Sequence, residues 1–163
     1  MTPNEMRDEY ENLDREYMTM LLEEWQRRYK NTTITDITKA DNEYESYDMT
    51  ATVNGKVQYI ELKSRTNKYP YNKVIDKGLL LRAHKNDGQN TMFAVIFPDD
   101  RIVCITTPEL IEALKPVKTK VKHKYNVDEN SEEDIQVNYL IPRDRFYVYK
   151  IYPYQVISKP TKK

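Results

Sequence analysis

Apolar residues recur along this chain with two different periods. From about residue 4 to residue 30 they follow three- and four-residue steps, which predicts one long amphipathic helix. Between residues 44 and 64, apolar and polar residues alternate on either side of Asn54-Gly55, the dipeptide most typical of a two-residue hairpin turn. The first part of the chain is therefore predicted to be a helix followed by a β-hairpin.

Patterns of the same two kinds predict the helices and strands after the hairpin. Residues 73–86 indicate a helix with a weak point at Gly78, and residues 107–114 indicate a short helix with Thr107 as N-cap. The runs at 91–97 and 101–106 are almost wholly apolar, as expected for strands in the centre of a sheet. Alternation at 117–127, 135–141 and 145–152 predicts a β-rich final third, followed by a frayed tail over 158–163.

This order of elements predicts the fold class. The chain has 163 residues, enough for one compact domain, and it contains no internal repeat and no linker. We expect a single domain over residues 1–163 of the α/β (α+β) class, with a mixed β-sheet flanked by helices. Its core should occupy about residues 5–106, with a C-terminal β extension over about 117–157.

Composition excludes several classes of protein. Hydrophobic residues make up 39% and charged residues 32%, which is typical of a globular domain with a polar surface. No apolar run approaches the roughly 20 residues that span a bilayer, and the first residues lack a signal-peptide pattern, so we expect a cytoplasmic protein without a membrane partner. Cys104 is the one cysteine, expected to be buried, and His84 and His123 have no metal-ligand spacing. Zinc hydrolases, P-loop enzymes and serine hydrolases are therefore disfavoured.

The formal net charge of zero conceals strong local imbalance. Residues 56–85 hold eight Lys or Arg against two acids, residues 115–124 hold five lysines and no acid, and residues 128–134 hold five acids. Local fields of this kind attract charged partners more effectively than total charge does. The basic segment from 56 to 85 includes the second half of the hairpin.

The hairpin places three charged side chains on one face. A two-residue turn at Asn54-Gly55 sets Val53 opposite Lys56, and by the same register Asp48 lies opposite Glu61. Since strand side chains alternate, Lys63 projects from the same face as Glu61. The other face is apolar and suited to packing in the core, with Met49, Ala51, Val53, Ile60 and Leu62.

Two opposed carboxylates repel each other unless a positive charge lies between them. Magnesium prefers oxygen ligands, so Asp48, Glu61 and the Leu62 carbonyl could provide one side of a site, leaving room for water and a phosphate. A bound ion of this kind lowers the pKa of water and neutralises charge on a phosphate. Lys63 would then orient or activate that water. The alternative reading is an ordinary solvated strand face.

Asp48, a hairpin and then Glu61-Leu62-Lys63 resemble the core motif of the PD-(D/E)XK nuclease superfamily. The resemblance covers roughly residues 5–106, and the order helix, hairpin, helix, strand is also similar to that family's core. Tyr47 stands in place of the proline for which the motif is named. The resemblance implies a restriction-endonuclease-like fold, magnesium or manganese bound by Asp48 and Glu61, and a lysine that assists the hydrolytic water. It also implies hydrolysis of DNA phosphodiesters.

Many members of that family add a glutamate from the first helix. Glu16 is our choice because it borders the apolar stripe of the helix, and Glu24 is an alternative that lies even closer to the stripe's direction. The helix after the hairpin lacks the Gln-x3-Tyr signature of RecB-like exonucleases. An endonuclease is therefore favoured over a processive exonuclease.

Contacts with the DNA backbone are predicted around and after the hairpin, at Ser64, Arg65, Lys68, Lys73 and Lys77. Any one of these cations could equally be an ordinary solvated side chain. Tyr69 and Tyr71 could stack on a base, although loop packing is favoured. The lysine face at 118–124 could be a second phosphate track or could block strand pairing at a sheet edge, and the latter is slightly favoured.

DNA is the expected partner, and small nucleases of this kind often act as homodimers. The high content of Tyr, Lys and Asn suits a bacteriophage or mobile-element protein, acting in the cytoplasm of a bacterial or phage-infected host cell. Two alternatives stay open. One is a non-catalytic nucleic-acid-binding or phage virion-structural protein that retains the fold, and the other is an RNA-processing endonuclease.

Overall fold

The computed structural model describes residues 2–40, 47–65, 70–82, 90–121 and 134–161. Helix α1 (Pro3–Arg28) begins with a capping box in which Thr2 and Glu5 bond to each other's backbone N–H groups, both at 3.1 Å. These contacts satisfy donors that the first turn of a helix leaves without partners. The long N-terminal helix predicted from the apolar periodicity is confirmed.

Within the described residues, ten strands and two further short helices follow α1. The helices are α2 (Tyr71–Val74) and α3 (Pro108–Ile111). The strands are β1 (Ile34–Lys39), β2 (Met49–Val53), β3 (Lys56–Ser64), β4 (Leu79–Arg82), β5 (Thr91–Phe97), β6 (Ile102–Thr106), β7 (Val117–Val121), β8 (Asp134–Ile141), β9 (Tyr147–Lys150) and β10 (Gln155–Ser158).

The strands form two sheets. A seven-stranded sheet has the order β1-β2-β3-β5-β6-β9-β10, and a three-stranded sheet has the order β4-β8-β7. Among the strand pairs of the described residues, β3–β5 alone is parallel, so the large sheet is mixed. The predicted α+β class with a mixed sheet is confirmed at this level.

Each face of the large sheet carries its own apolar core. On the helix face, Met18, Leu21 and Leu22 of α1 pack with residues such as Ile60 and Ile96. On the opposite face, which we call the small-sheet face, Phe93, Val95 and Phe97 pack with α2, β4 and β8. Fully burying one such side chain contributes about 1.5–3 kcal/mol, so the two cores hold the layers on both sides of β3 and β5.

The helix predicted for residues 73–86 is wrong from residue 78 to residue 82, and residues 83–86 lie outside the described residues. Helix α2 ends at Val74, a 3₁₀ turn covers Ile75–Lys77, and Gly78 has φ 88°, a value that a helix does not allow. Strand β4 follows at once, with Leu79 and Leu81 buried. Three consecutive leucines satisfy a helical stripe and a strand equally well, and the conformation of the glycine decides between them.

The C-terminal strands complete both sheets rather than standing apart. Strands β9 and β10 extend the large sheet beyond β6, and β7 and β8 pair with β4. Strand β10 follows the last strand that the alternation predicted, 145–152, and it ends at Ser158, the first residue of the predicted tail. Residues 122–133, with the rest of the predicted strand 117–127 and most of the acidic stretch, lie outside the described residues. No helix in the described part of the chain is long and apolar enough to cross a bilayer.

Candidate metal and phosphate site

The hairpin has the register that the sequence predicted. Its pairs run from Val53–Lys56 to Met49–Ile60, and the turn residues Asn54 and Gly55 have φ of 50° and 83°. Both values are positive, as a type I′ turn requires. Because Met49 and Ile60 lie in the core on the helix face, the prediction that the apolar face of the hairpin is packed is confirmed.

Asp48 binds the neighbouring strand through both its backbone and its side chain. Its N–H donates to the Ile60 carbonyl at 2.9 Å, and its Oδ2 accepts from the Leu62 N–H at 2.7 Å. The carboxylate thus takes the place of a backbone carbonyl where the regular ladder ends. A carboxylate has about four acceptor positions, so this bond fixes the group and leaves it able to bind a cation.

Leu62 presents its carbonyl to the same place. In an antiparallel ladder the N–H and C=O of one residue point toward the same neighbouring strand. Since the Leu62 N–H points at Asp48, its carbonyl oxygen faces the β2 side as well. A backbone oxygen and a carboxylate therefore converge at the beginning of β2.

Glu61 projects to the small-sheet face and is 8% exposed. It is paired with Phe93 of β5, which lies in the core on that face. Burying a carboxylate costs free energy unless a cation or hydrogen-bond donors compensate for the lost water. A carboxylate at this position therefore needs a positive charge or hydrogen-bond donors beside it.

Lys63 reaches from the large sheet to the small one. Its Nζ donates to the Leu80 carbonyl at 2.8 Å, and its side chain is partly buried. Leu80 lies on β4, the edge strand of the small sheet, where alternate carbonyls point away from the ladder. The ammonium group is thus held on the small-sheet face of β3, the face that also carries Glu61.

The predicted phosphate-binding residues are placed in different ways. The Arg65 N–H donates to the Ile96 carbonyl at 2.8 Å and extends the β3–β5 ladder, and Ser64 Oγ is buried with no hydrogen-bond partner among the described residues. Lys73 and Lys77 are exposed on α2 and the turn after it. Lys68 and Tyr69 lie outside the described residues. Tyr71 is buried against Phe97 at 5.6 Å between ring centroids, so it packs in the core as favoured.

The structure does not bring either predicted first-helix glutamate to the hairpin. Glu16 is exposed and borders a surface hollow with Arg15, Thr19 and other residues of α1 itself. Glu24 lies near the end of α1, where it pairs with Arg27 at 2.7 Å and Arg28 at 2.8 Å. The hydrogen bond from Arg28 lowers the pKa of Glu24.

Among the acids of α1 whose side chains the structure describes, Asp14 is the buried one. It is 4% exposed and lies one turn before Met18 on the buried side of the helix. The Tyr17 hydroxyl donates to the Pro98 carbonyl at 3.1 Å, which fixes this part of α1 at the C-terminal end of β5. Asp48 lies at that end too, because β2 runs antiparallel to β3. The sequence signal is an acid in line with Met18 and Leu21, four and seven residues later.

The remaining polar chemistry is sparse. Within the described residues, no three His, Cys, Asp or Glu side chains come together as a metal cluster. The candidate site would use two carboxylates, Asp48 and Glu61, with a backbone carbonyl. Cys104 is buried as expected, and burial raises the pKa of its thiol.

No family model, curated protein or solved structure matches this chain. Its function is therefore inferred from the chemistry of its own residues.

Proposed function

We propose that this protein is a magnesium- or manganese-dependent endonuclease of the PD-(D/E)XK type that hydrolyses DNA phosphodiesters. The proposal is supported by the open end of the hairpin, where β2 begins and β3 ends. There Asp48 accepts a hydrogen bond from the Leu62 N–H, and Glu61 and Lys63 share one face of β3. The order α1, hairpin, α2 and then β5 parallel to β3 supports a restriction-endonuclease-like core.

Asp48, Glu61 and the Leu62 carbonyl are the groups that would hold the ion. Their oxygens are the ligand type that magnesium and manganese prefer, and Asp48 is already oriented by its bond to a backbone N–H. When bound, the ion would lower the pKa of a water molecule and neutralise charge on the phosphate. Pre-orientation of the carboxylate reduces the ordering that binding requires.

Lys63 would act on the water and the phosphate. The Leu80 carbonyl accepts a hydrogen bond from the ammonium group and fixes its position. From there it can donate a hydrogen bond to the attacking water or to a phosphate oxygen, where negative charge develops in the transition state. Asp14 is proposed as the first-helix acid in place of Glu16, because it is buried on α1 close to Tyr17, which is bonded at the C-terminal end of β5.

A second candidate function has one observation in its favour. The bond from Lys63 to Leu80 joins the two sheets, as a purely structural lysine would. On that reading the protein retains the fold and binds nucleic acid without cleaving it. Replacing Lys63 would then lower the stability of the protein, and neither wild type nor the variant would cleave nucleic acid.

Cleavage assays distinguish the two functions. Wild type, Lys63→Met and the control Lys56→Met are incubated with linear, nicked, branched and single-stranded DNA and with RNA, in magnesium, manganese or a chelator. Lys56 is an exposed lysine at the other end of the same strand. We expect metal-dependent cleavage by wild type and Lys56→Met, and a loss of about 10²-fold or more in Lys63→Met.

Two results would contradict the proposal. The absence of metal-dependent cleavage by wild type on any substrate would exclude nuclease activity under these conditions and favour the binding function. Equal cleavage by Lys63→Met would show that another group acts on the water.

A further inference from the structure

Two tyrosine rings meet beside the carboxylates of the candidate site. Tyr47 directly precedes Asp48, and Tyr59 lies on β3 two residues before Glu61. The ring centroids of the two tyrosines are 4.8 Å apart, with an angle of 56° between the ring planes. Both residues are partly exposed, so the pair presents aromatic surface at the edge of the site.

The alternation of side chains along β3 puts Tyr59 on the same face as the proposed catalytic residues. Tyr59, Glu61 and Lys63 follow each other at intervals of two residues, and every second side chain of a strand projects to the same face. The neighbouring residue Ile60 lies in the core on the helix face. Tyr59 therefore projects to the small-sheet face, as Glu61 and Lys63 do.

This part of the small-sheet face is open to a ligand. Val57, two residues before Tyr59, is 50% exposed. Thr50 of β2, opposite Tyr59, is partly exposed, and Thr38 of β1, opposite Thr50, is exposed. The small sheet packs over β5 and its neighbours instead. A ligand bound at the carboxylates can therefore extend along β3 toward the turn of the hairpin.

Regular backbone pairing positions both tyrosines. Strand β3 is paired on both sides, with β2 and with β5, and the Tyr59 N–H donates to the Asn90 carbonyl at 3.1 Å. Tyr47 is fixed through the next residue, because the Asp48 N–H donates to the Ile60 carbonyl at 2.9 Å. Rings that are ordered before binding reduce the entropy lost when a ligand stacks on them.

The spacing along β3 matches the spacing of nucleotides. Two residues of a strand span about 7 Å, which is the separation of Tyr59 from Glu61 along β3. Two stacked nucleotides at about 3.4 Å each span the same distance. Aromatic side chains stack on any base, because every base has a π-face. A base within a duplex is already stacked on both sides, so only an unpaired base can use the ring of Tyr59.

We propose that Tyr47 and Tyr59 stack on an unpaired base next to the phosphodiester bound at the candidate site. This inference rests on the proposed nuclease function and specifies its substrate class as DNA with unpaired nucleotides at the point of cleavage. Because stacking tolerates every base, this contact selects for the structure of the DNA rather than for its sequence.

Two matched DNAs test the stack directly. One duplex carries a central bulge of unpaired thymines, and the other, of equal length, carries abasic residues in the same bulge. Fluorescence anisotropy in a chelator measures both affinities without metal-dependent cleavage. We expect wild type to bind the thymine bulge about 5- to 150-fold more tightly than the abasic bulge, the ratio that corresponds to one stacked base.

Substitutions of the tyrosines separate stacking from packing. Tyr59→Leu keeps an apolar side chain but removes the aromatic face, so the ratio of the two affinities should fall toward equality, and Tyr47→Leu should lower it as well. Tyr59→Phe keeps the ring and should retain the wild-type ratio. The control Tyr152→Leu changes a tyrosine that is 59% exposed between β9 and β10, and it should also retain the ratio. Because both DNAs are bound by the same preparation, partial unfolding lowers both affinities alike.

Three results would overturn the inference. The first is equal affinity of wild type for the two DNAs. The second is a wild-type ratio in Tyr59→Leu and Tyr47→Leu, which would show that the rings only pack against each other. The third is a loss of the ratio in Tyr152→Leu as large as in Tyr59→Leu, because the effect would then not belong to this surface.

The same preparations are assayed for cleavage, so that the two proposals fail separately. If cleavage depends on metal and Lys63 while wild type binds both bulges equally, the nuclease function stands and the stacking surface does not. If wild type cleaves nothing while Tyr59→Leu loses the preference for the thymine bulge, the surface stands as a binding site of a non-catalytic protein.

Discussion

Replacing Gly78 with alanine tests how the chain enters β4. Gly78 has φ 88° and ψ 161°, a conformation that is essentially restricted to glycine. An added Cβ would also lie 3.1 Å from the Ile141 carbonyl oxygen and 3.2 Å from Leu140 Cγ, closer than ordinary contact. Both the backbone and the packing therefore oppose a side chain at this position.

The magnitude follows from these two costs. The backbone conformation costs about 1–3 kcal/mol, and forcing the neighbouring strand to move adds about 1 kcal/mol or more. Reduced entropy of the unfolded chain offsets about 0.4–1 kcal/mol of this. We expect Gly78→Ala to lower the free energy of unfolding by about 3 kcal/mol, which for a chain of this size lowers Tm by roughly 6–12 °C.

Urea and thermal unfolding, with Gly55→Ala as control, measure this effect. Gly55 also has a positive φ, 83°, but a Cβ there would meet nothing within 4 Å, so we expect a loss of only about 1 kcal/mol. A helix through residue 78 predicts the opposite sign, because alanine replacing glycine within a helix stabilises by about 1 kcal/mol. A Gly78→Ala variant as stable as wild type would refute the strand assignment of β4.

Two further predictions concern the site and Tyr154. Asp48→Asn retains an acceptor for the Leu62 N–H, so it should change the free energy of unfolding by less than about 1 kcal/mol. It should nevertheless reduce metal-dependent cleavage at least about 10²-fold. Asp48→Ala should reduce cleavage equally and also destabilise the protein by about 1–3 kcal/mol in urea unfolding. Full cleavage by Asp48→Asn would contradict a role in binding metal. Burial raises the pKa of Tyr154 to about 12, so between about pH 10 and 12 the unfolded chain loses this proton first and stability falls as pH rises. The urea midpoint should decline less steeply over that range in Tyr154→Phe, and equal slopes would disprove this linkage.

The hairpin could be predicted residue by residue because its determinants are local. A two-residue turn with positive φ at Asn54 and Gly55 leaves one register, and side-chain alternation then assigns each face. The strands at 91–97 and 102–106 could also be predicted from the sequence, because their almost unbroken apolar runs reflect burial on both faces of the sheet.

The surroundings of Lys63 could not be predicted, because its partner lies on another sheet. The Leu80 carbonyl belongs to a segment whose three leucines fit a helix as well as a strand. Asp14 was missed for a related reason. The predicted stripe ran through Leu13, Tyr17 and Met20 to Leu21 and Leu22. It left out Met18, which is fully buried and lies one turn after Asp14. Packing against the sheet determines which side of α1 is buried, and this packing cannot be inferred from a single sequence.

The pairing of β4 with β8 has a consequence for the order in which the protein folds. Leu79 meets Ile141 across 62 residues of chain, whereas β2 and β3 meet across a two-residue turn. Contacts between residues so far apart carry a large loop-closure entropy and form late. The carbonyl that holds Lys63 belongs to the late-forming sheet, while Asp48 and Glu61 belong to the early hairpin. We therefore expect the carboxylates to reach their places when the hairpin forms, and the lysine to be fixed later, when the small sheet forms.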